Sequence, residues 1–476
     1  MAVRVAACAA GAAVVGAVGG CASPLDAPHE PPRSRASSIP ADSDPQPRSA
    51  FREHRDQDDG AADPRLSSSA SPDDYVRYAL YHSPAVEAAY QRWLAASERL
   101  PQVGALPDPR LNFGFFLDEV ETRTGPQQAR LGVSQSFPWP GLLEGREDAA
   151  ALAARAAWRR FEAERLAVTE RVVSTLHELA YLDAAARITR DNLDLLESFE
   201  EVVRARYRVG TGSHPELTRV HVELGQLEDR LAQLRAMRPA YVAELNAALN
   251  RPTEASVPAL PEFPGRVASV DGTELAARAR ASNPTLLALD EEGLEQRIRS
   301  DVAGLEGRPD FTVGLDYIVT GEAGDRSIAE SGDDPILLSF GITLPLWRDK
   351  YDAGVREATA RRLAVSHQRA DEGNRIAAAI QRAWFEHTDG DRRVRLYEDT
   401  LIPKAEELLR ASLAGFRAGE TGFLDLLDTE RTLLEFAIAA ERARADRGRA
   451  LARLNRLVGQ TVPTRGAANQ DHEGTP

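Results

Sequence analysis

Two stretches of this chain carry the same landmarks in the same order. Ser83-Pro84-Ala85-Val86 stands against Asn283-Pro284-Thr285-Leu286, and Pro109 and Gly114 stand against Pro309 and Gly314. Further on, Tyr207-Arg208-Val209-Gly210 matches Phe416-Arg417-Ala418-Gly419, and Leu245-Asn246 matches Leu454-Asn455. The offset is 200 residues at the first landmarks and 209 at the last, and most of the difference falls in a glycine- and acid-rich segment, 320–335. Such self-similarity marks one structural unit laid down twice. Each copy, residues 73–250 and 271–460 with a linker at 251–270, reads as a half-length helix, two alternating segments, a very long helix, a glycine turn and a second helix.

The long helices exclude a compact domain. Residues 141–208 contain no proline, and Val168, Val172, Thr175, Leu179, Leu182 and Ala186 step by four and three, as in a coiled-coil seam. At about 1.5 Å per residue such a helix reaches roughly 100 Å. Its counterpart, 351–417, carries Pro403 late enough to kink rather than end it. Helices at 213–250 and 423–459 are about half as long, as are 84–104 and 284–306 ahead of the strands. Two half-length helices stacked end to end match one long one. Alanine- and charge-rich helices of this length suit a rod or the wall of a tube.

The alternating segments identify the solvent. In 109–118, Leu111, Phe113, Phe115 and Leu117 fall on one side, with Phe116 breaking the rule; in 128–138, Leu131, Val133 and Phe137 alternate with Gly132, Ser134 and Ser136. In 310–320, Phe311, Val313, Leu315, Tyr317 and Val319 oppose Thr312, Gly314, Asp316 and Thr320. In 335–345, Ile336, Leu338, Phe340, Ile342 and Leu344 oppose Leu337, Ser339, Gly341 and Thr343. This is strand periodicity, and each segment is long enough to cross a bilayer when tilted. Apolar and aromatic residues on one face with small polar ones on the other is the pattern of transmembrane barrels. Four strands cannot close such a barrel, since an open edge leaves unpaired backbone groups in hydrocarbon. The strands are therefore expected to be pooled between copies of the chain in a cyclic oligomer.

Composition points to the cell envelope. Beyond the N-terminus no run of apolar residues is long enough for a transmembrane helix. Residues 1–20 read as a signal peptide, with Arg4 as its charge and Val5–Gly20 as its apolar region. It ends in Val18-Gly19-Gly20-Cys21, which resembles a bacterial lipobox with valine in place of the usual leucine. Cys8 would leave with the signal, so Cys21 is expected to be the sole remaining thiol and to carry lipid. Residues 21–72 are rich in proline, serine and charge and read as a disordered tether; the tail, 461–476, reads likewise. A net charge of −15 argues against nucleic acid as a partner.

Catalytic motifs fail. His177-Glu178-Leu179-Ala180-Tyr181 begins like a zinc-protease helix, but tyrosine stands where the second histidine must be, so both residues read as parts of the long helix. No phosphate loop, dinucleotide fingerprint or nucleophile elbow occurs, no cofactor or metal site is expected, and an enzyme is not. Trp139, between two prolines, and Trp347, after Pro345, sit where strands end; they read equally as membrane-interface anchors or as packing residues.

With these features assembled, residues 73–460 resemble the TolC family of outer-membrane efflux ducts. The most specific stretch is Phe416-Arg417-Ala418-Gly419 followed by Leu424-Asp425-Leu426-Leu427-Asp428, and Ser134–Gly141 and Gly341–Trp347 most resemble the branch serving heavy-metal and drug pumps. The resemblance implies a mainly α fold with transmembrane β: a homotrimer pooling four strands per chain into a twelve-stranded barrel in the outer membrane, continued by a long α-helical barrel across the periplasm. It implies as partners a periplasmic adaptor (membrane fusion) protein, an inner-membrane pump of the resistance–nodulation–division type and outer-membrane lipid.

The glycine turns, Gly210 with Gly212 and Gly419 with Gly422, would reverse the chain at the periplasmic tip, where glycine relieves the cost of positive φ; by resemblance they are also where the adaptor docks. Asp425 and Asp428 lie one turn apart near a helix start, where acids are favoured in any case. The resemblance makes them the ring around the closed aperture, with Glu216 as a third acidic position, although Ser213 and Glu216 also form a capping box. Thr421 stands where the family prototype has an arginine, so a latch built on that arginine is not expected. The rival reading is a non-conducting periplasm-spanning coiled-coil spacer or adhesin, its alternating segments forming a soluble sheet.

Overall fold

The computed structural model describes residues 66, 70–260, 263, 265–324 and 329–465. Cys21, the signal peptide and most of the tether and tail lie outside the described residues. Three helices open the described chain: α1 (Pro72–His82), α2 (Pro84–Ser97) and the short α3 (Leu100–Gly104). A hairpin of β1 (Arg110–Thr122) and β2 (Gly125–Phe137) follows, then α4 (Leu142–Arg208) and α5 (His214–Ala248). The second half repeats the order with β3 (Val267–Ala268), α6 (Gly272–Ser282), α7 (Pro284–Leu305), β4 (Asp310–Thr320), β5 (Ile336–Thr343), α8 (Arg348–Leu396), α9 (Ile402–Ala418), α10 (Phe423–Val458) and β6 (Thr464–Arg465). Among the described residues no helix is long and apolar enough to cross a membrane.

The half-length helices meet end to end, and one asparagine makes the joint. Asn283 caps α7 by accepting from the Thr285 and Leu286 amides, while its Nδ2 donates to Leu457 O, 2.8 Å away in the last turn of α10. Two sets of orphan backbone groups are thus satisfied by a single side chain. Leu275, Leu286, Ile380, Leu454 and Leu457 close over the joint as one buried cluster. The equivalent cluster in the first half gathers Tyr75, Val86, Val172, Leu245 and Leu249 from α1, α2, α4 and the end of α5. The repeated Leu-Asn landmark also has a physical role. Asn246 donates to the carbonyls of Thr253 and Ala255, and Asn455 Oδ1 accepts from the Val462 amide; each fastens the segment that leaves its helix.

Those fastenings change the picture of the linker and the tail. The start of the linker is held down, with Val257 buried and Arg238 donating to the carbonyls of Val257 and Pro258. The tail's first residues are ordered too: Val462 is 2% exposed, and Thr464–Arg465 pairs with Val267–Ala268. A single well-placed valine carries this, which a composition reading passes over. The tether likewise yields to structure at Ser71 and Pro72, where a Ser71–Asp74 capping box starts α1.

The second long helix is not one uninterrupted α-helix. Tyr397–Leu401 forms a π turn between α8 and α9, just ahead of Pro403. Proline has no amide to donate and its ring crowds the carbonyl four residues back, and widening one turn relieves both demands without ending the helix.

Candidate channel surfaces

The register of the sheet gathers the apolar residues on one wall. Its strand order is β1-β2-β4-β5, antiparallel throughout. Val133 stands opposite Leu111 on one side and Leu315 on the other, and Leu315 opposite Leu338. The next row is Phe113, Leu131, Tyr317 and Ile336; another joins Phe137, Phe311 and Ile342. Phe113, Phe115 and Phe340 are 68%, 77% and 76% exposed. A contiguous apolar face of this extent calls for a non-aqueous neighbour.

The other face is small or polar except at Leu337, which stands opposite Asp316. Asn112, Gly132 and Asp316 form one row, and Arg110, Ser134, Gly314 and Ser339 the next. Arg130 Nη2 donates to Asp316 Oδ2 across the junction of the two hairpins at 2.6 Å. Gly132 lies beside the pair, where a Cβ would collide with the Asp316 carboxylate. Alternation placed Asp316 on this face, but Arg130 escaped notice, because cross-strand partners appear only once the register is known. β1 and β5 each have one sheet neighbour, leaving two open edges.

The two tryptophans at the strand ends part company. Trp139 is half-buried, its amide donating to Asp310 Oδ1 and its ring stacked on Phe311 at 6.1 Å. Trp347 is 77% exposed, beside the exposed Leu344 and Leu346. Trp139 packs; Trp347 stands out as an interface anchor would.

At the opposite end of the helices the two glycine turns share one hydrogen-bond pattern. The amides of Thr211 and Gly212 donate to Arg206 O, and those of Glu420 and Thr421 donate to Gly415 O. Gly210 and Gly419 carry φ of 78° and 82°, the left-handed conformation that glycine admits freely. Gly212 and Gly422 do not share that role. Gly212 is needed for close approach, since a Cβ there would press on Arg206 and Tyr207, while Gly422 is the N-cap of α10 at φ −70°.

Among the acidic candidates, Asp425 and Asp428 are exposed in the first turns of α10. Glu216 is engaged instead: its carboxylate accepts from the Ser213 amide at 2.9 Å, and its own amide donates to Ser213 Oγ. Asp425 and Asp428 thus stand exposed one helical turn apart, and Glu216 closes the cap of α5.

Between wall and tip, the His177–Glu178 pair serves packing. Glu178 is buried and accepts from Arg442 at 2.7 Å and Arg449 at 2.8 Å, tying α4 to α10. The His177 ring meets the Phe263 ring edge-on at 5.0 Å, and Gly448 leaves room for it. Burial, reinforced by Arg449 and Arg447, pushes the His177 pKa down to about 4. A second histidine, His387, is fully buried: it accepts from the Ala268 amide at Nε2, so its Nδ1–H is the one that donates to Arg447 O. Among the described residues no group of three or more potential ligands gathers to hold a metal ion.

The outer-membrane channel OprN superposes with a TM-score of 0.69 at 16% identity, covering 83% of this chain and 96% of OprN. VceC, an outer-membrane protein of Vibrio cholerae, gives a TM-score of 0.67 at 18% identity, covering 82% of this chain and 97% of VceC. The chain shares its fold with these outer-membrane proteins. In sequence it is 22% identical over 356 residues to the cobalt-zinc-cadmium resistance protein CzcC of Cupriavidus metallidurans, a span covering 71% of this chain and 77% of CzcC. No family model matches the chain.

Proposed function

We propose that this protein is the outer-membrane duct of an efflux system, a passive exit path whose wall is completed by three copies of the chain. The observation that carries the reading is the sheet: one apolar face in register across every strand, and two unpaired edges. Neither feature is tenable in water or in hydrocarbon for a lone copy. Because the four strands alternate in direction, β5 of one copy runs antiparallel to β1 of the next, so edges join without reversing sense. Three copies then supply twelve strands, within the range of outer-membrane barrels. The polar face, with Arg130 and Asp316, lines the lumen.

In this reading the helices continue the duct into the periplasm, and the turns at Gly210–Gly212 and Gly419–Gly422 present the end to a periplasmic adaptor and its inner-membrane pump. Asp425 and Asp428 ring the aperture, where like charges on the threefold axis draw cations in. That acidic pair, together with the relative named for cobalt, zinc and cadmium resistance, favours divalent heavy-metal cations as cargo. Cys21 carries lipid that supplements the barrel as an anchor.

The decisive experiment is planar-bilayer recording of the purified protein, with heat-modifiable gel migration as a check on the barrel. A duct conducts; a spacer or adhesin of the same length does not, and absence of conductance from well-folded oligomer overturns the proposal. Replacing Asp425 and Asp428 together with alanine is expected to weaken cation selectivity and abolish block by divalent cations from the periplasmic side. Cys21→Ser is expected to end incorporation of labelled fatty acid while leaving the oligomer in the membrane.

A further inference from the structure

Above the tip turns, a carboxyl group occupies a position where a leucine is expected. Glu430 lies on α10 three residues after Leu427 and four before Leu434, both buried, so it shares their face. It is 1% exposed, and its Oε1 has no hydrogen-bond partner. Across from it on α4, the Asn192 side chain bonds the Glu430 carboxyl as a donor, and Asn192 Oδ1 lacks a partner. A carboxylate buried with one oxygen unpartnered is costly, and a proton on Glu430 removes that charge.

The surrounding charges offer no alternative. On α5, Glu223 is buried and already bound in bidentate fashion by Arg431 of α10, and Arg431 has Asp428 and Glu435 nearby as well. Glu200 of α4 is held by Arg204 and by His221 of α5. From α9, Leu409, Leu413 and Phe416 join this cluster, with the Arg206 guanidinium over the Phe416 ring at 4.6 Å. Arg431, the cation that acts on Glu430, is taken up by Glu223. We propose that Glu430 is a proton-operated joint: neutral when protonated, it lets α4, α5 and α10 stay packed around it, and losing the proton puts a charge into that buried face and loosens the helices that carry the tip. Burial, with Glu223's charge adding to it, pushes the Glu430 pKa up to about 7, against the opposing pull of Asn192 and Arg431. The same apolar cluster runs on through Leu426 and Phe423, which packs on Phe416, so a disturbance at Glu430 has a continuous path to the turns at Gly419 and Gly422.

The sign follows from linkage. An opened joint exposes Glu430 to water, where it ionises near its ordinary 4.5, while the closed joint keeps the proton to about pH 7. Opening therefore rises through the interval between those values and levels off above it; from pH 5.5 to 8 the opening equilibrium grows roughly 25-fold. The consequence for conduction rests on the duct reading above, but the joint itself does not.

The test is hydrogen exchange of the full-length protein in detergent from pH 5.5 to 8, with intrinsic rates divided out, on peptides spanning 196–225 and 414–436. Wild type is expected to show the rise in opening, and Glu430→Gln, which keeps a donor and cannot ionise, is expected to show none. A flat wild-type profile overturns the proposal without any variant, as does a Glu430→Gln profile that rises in parallel with wild type. Conductance over the same pH range separates the two readings: silence at every pH removes the duct, while exchange still reports on the joint.

Discussion

Arginine at Leu315 should distinguish a bilayer-spanning sheet from a soluble one. Leu315 is the sixth of eleven residues in β4 and is flanked by Val133 and Leu338 on the apolar face. At about 3.3 Å per residue and a tilt near 40°, a strand of this length crosses roughly 28 Å, so its middle residue sits close to the bilayer midplane. Arginine on the lipid face at that depth costs about 2–4 kcal/mol, a factor of roughly 30 to 1,000 in the folding equilibrium. The matched control is Thr312→Arg, on the same strand but on the polar face, expected to cost under about 1 kcal/mol if that face meets a water-filled lumen. Reversible urea unfolding of both variants in lipid vesicles, followed by tryptophan fluorescence and by loss of heat-modifiable migration, gives the two values. Equal penalties, or a larger one at Thr312, would refute the assignment of faces and with it the barrel.

Arg130→Ala leaves Asp316 without its partner on the polar face, and, if that face lines a duct, single-channel reversal potentials are expected to shift towards cation selectivity, an effect that Asp316→Asn in the same background should remove. Glu178→Ala leaves Arg442 and Arg449 with Asp446 alone and unties α4 from α10 at this point, and the thermal midpoint is expected to drop by the equivalent of about 1–3 kcal/mol; Glu178→Gln should recover part of it. His177 has a depressed pKa, so the unfolded chain takes up a proton first as pH falls: its contribution is complete above about pH 6.5, and up to about 3 kcal/mol is lost by pH 4. Denaturant midpoints of wild type and His177→Gln measured down that range should diverge, and parallel curves would refute it.

Much of this architecture was legible because its periodicities are long. The seam from Val168 to Ala186 runs down a buried face of α4, with Val168, Val172, Thr175, Leu179 and Leu182 buried, and the strand alternation survived into the register with its apolar residues in line. Features that depend on a single side chain were not legible. Pro403 was read as a kink, but the π turn that accommodates it depends on backbone geometry that no propensity encodes. Gly212 and Gly422 look equivalent to Gly210 and Gly419 in sequence, yet they lack the positive φ and serve close approach and a helix cap instead. Arg130 and Glu430 were missed for different reasons. Finding Arg130 required a cross-strand partner, whereas Glu430 was visible as a charge within a leucine stripe (Leu426, Leu427, Leu434) and was passed over among many solvated glutamates. An ionisable residue at a seam position is the signal that a charge count conceals.

The two buried titrating groups also explain each other's choice of pH range. Glu430 holds a proton that the unfolded chain releases near 4.5, so its contribution falls as pH rises from there to about 7. His177 refuses a proton that the unfolded chain accepts near 6.5, so its contribution falls as pH drops from there to about 4. Over the shared interval the two slopes are opposite, so each masks part of the other in a global unfolding experiment. His387, buried and likewise held below its ordinary pKa, adds to the acid side. Glu430→Gln is therefore expected to leave a protein whose stability falls more steeply in acid than that of wild type, and His177→Gln one whose loss in acid is shallower. Profiles that neither substitution changes would refute both assignments.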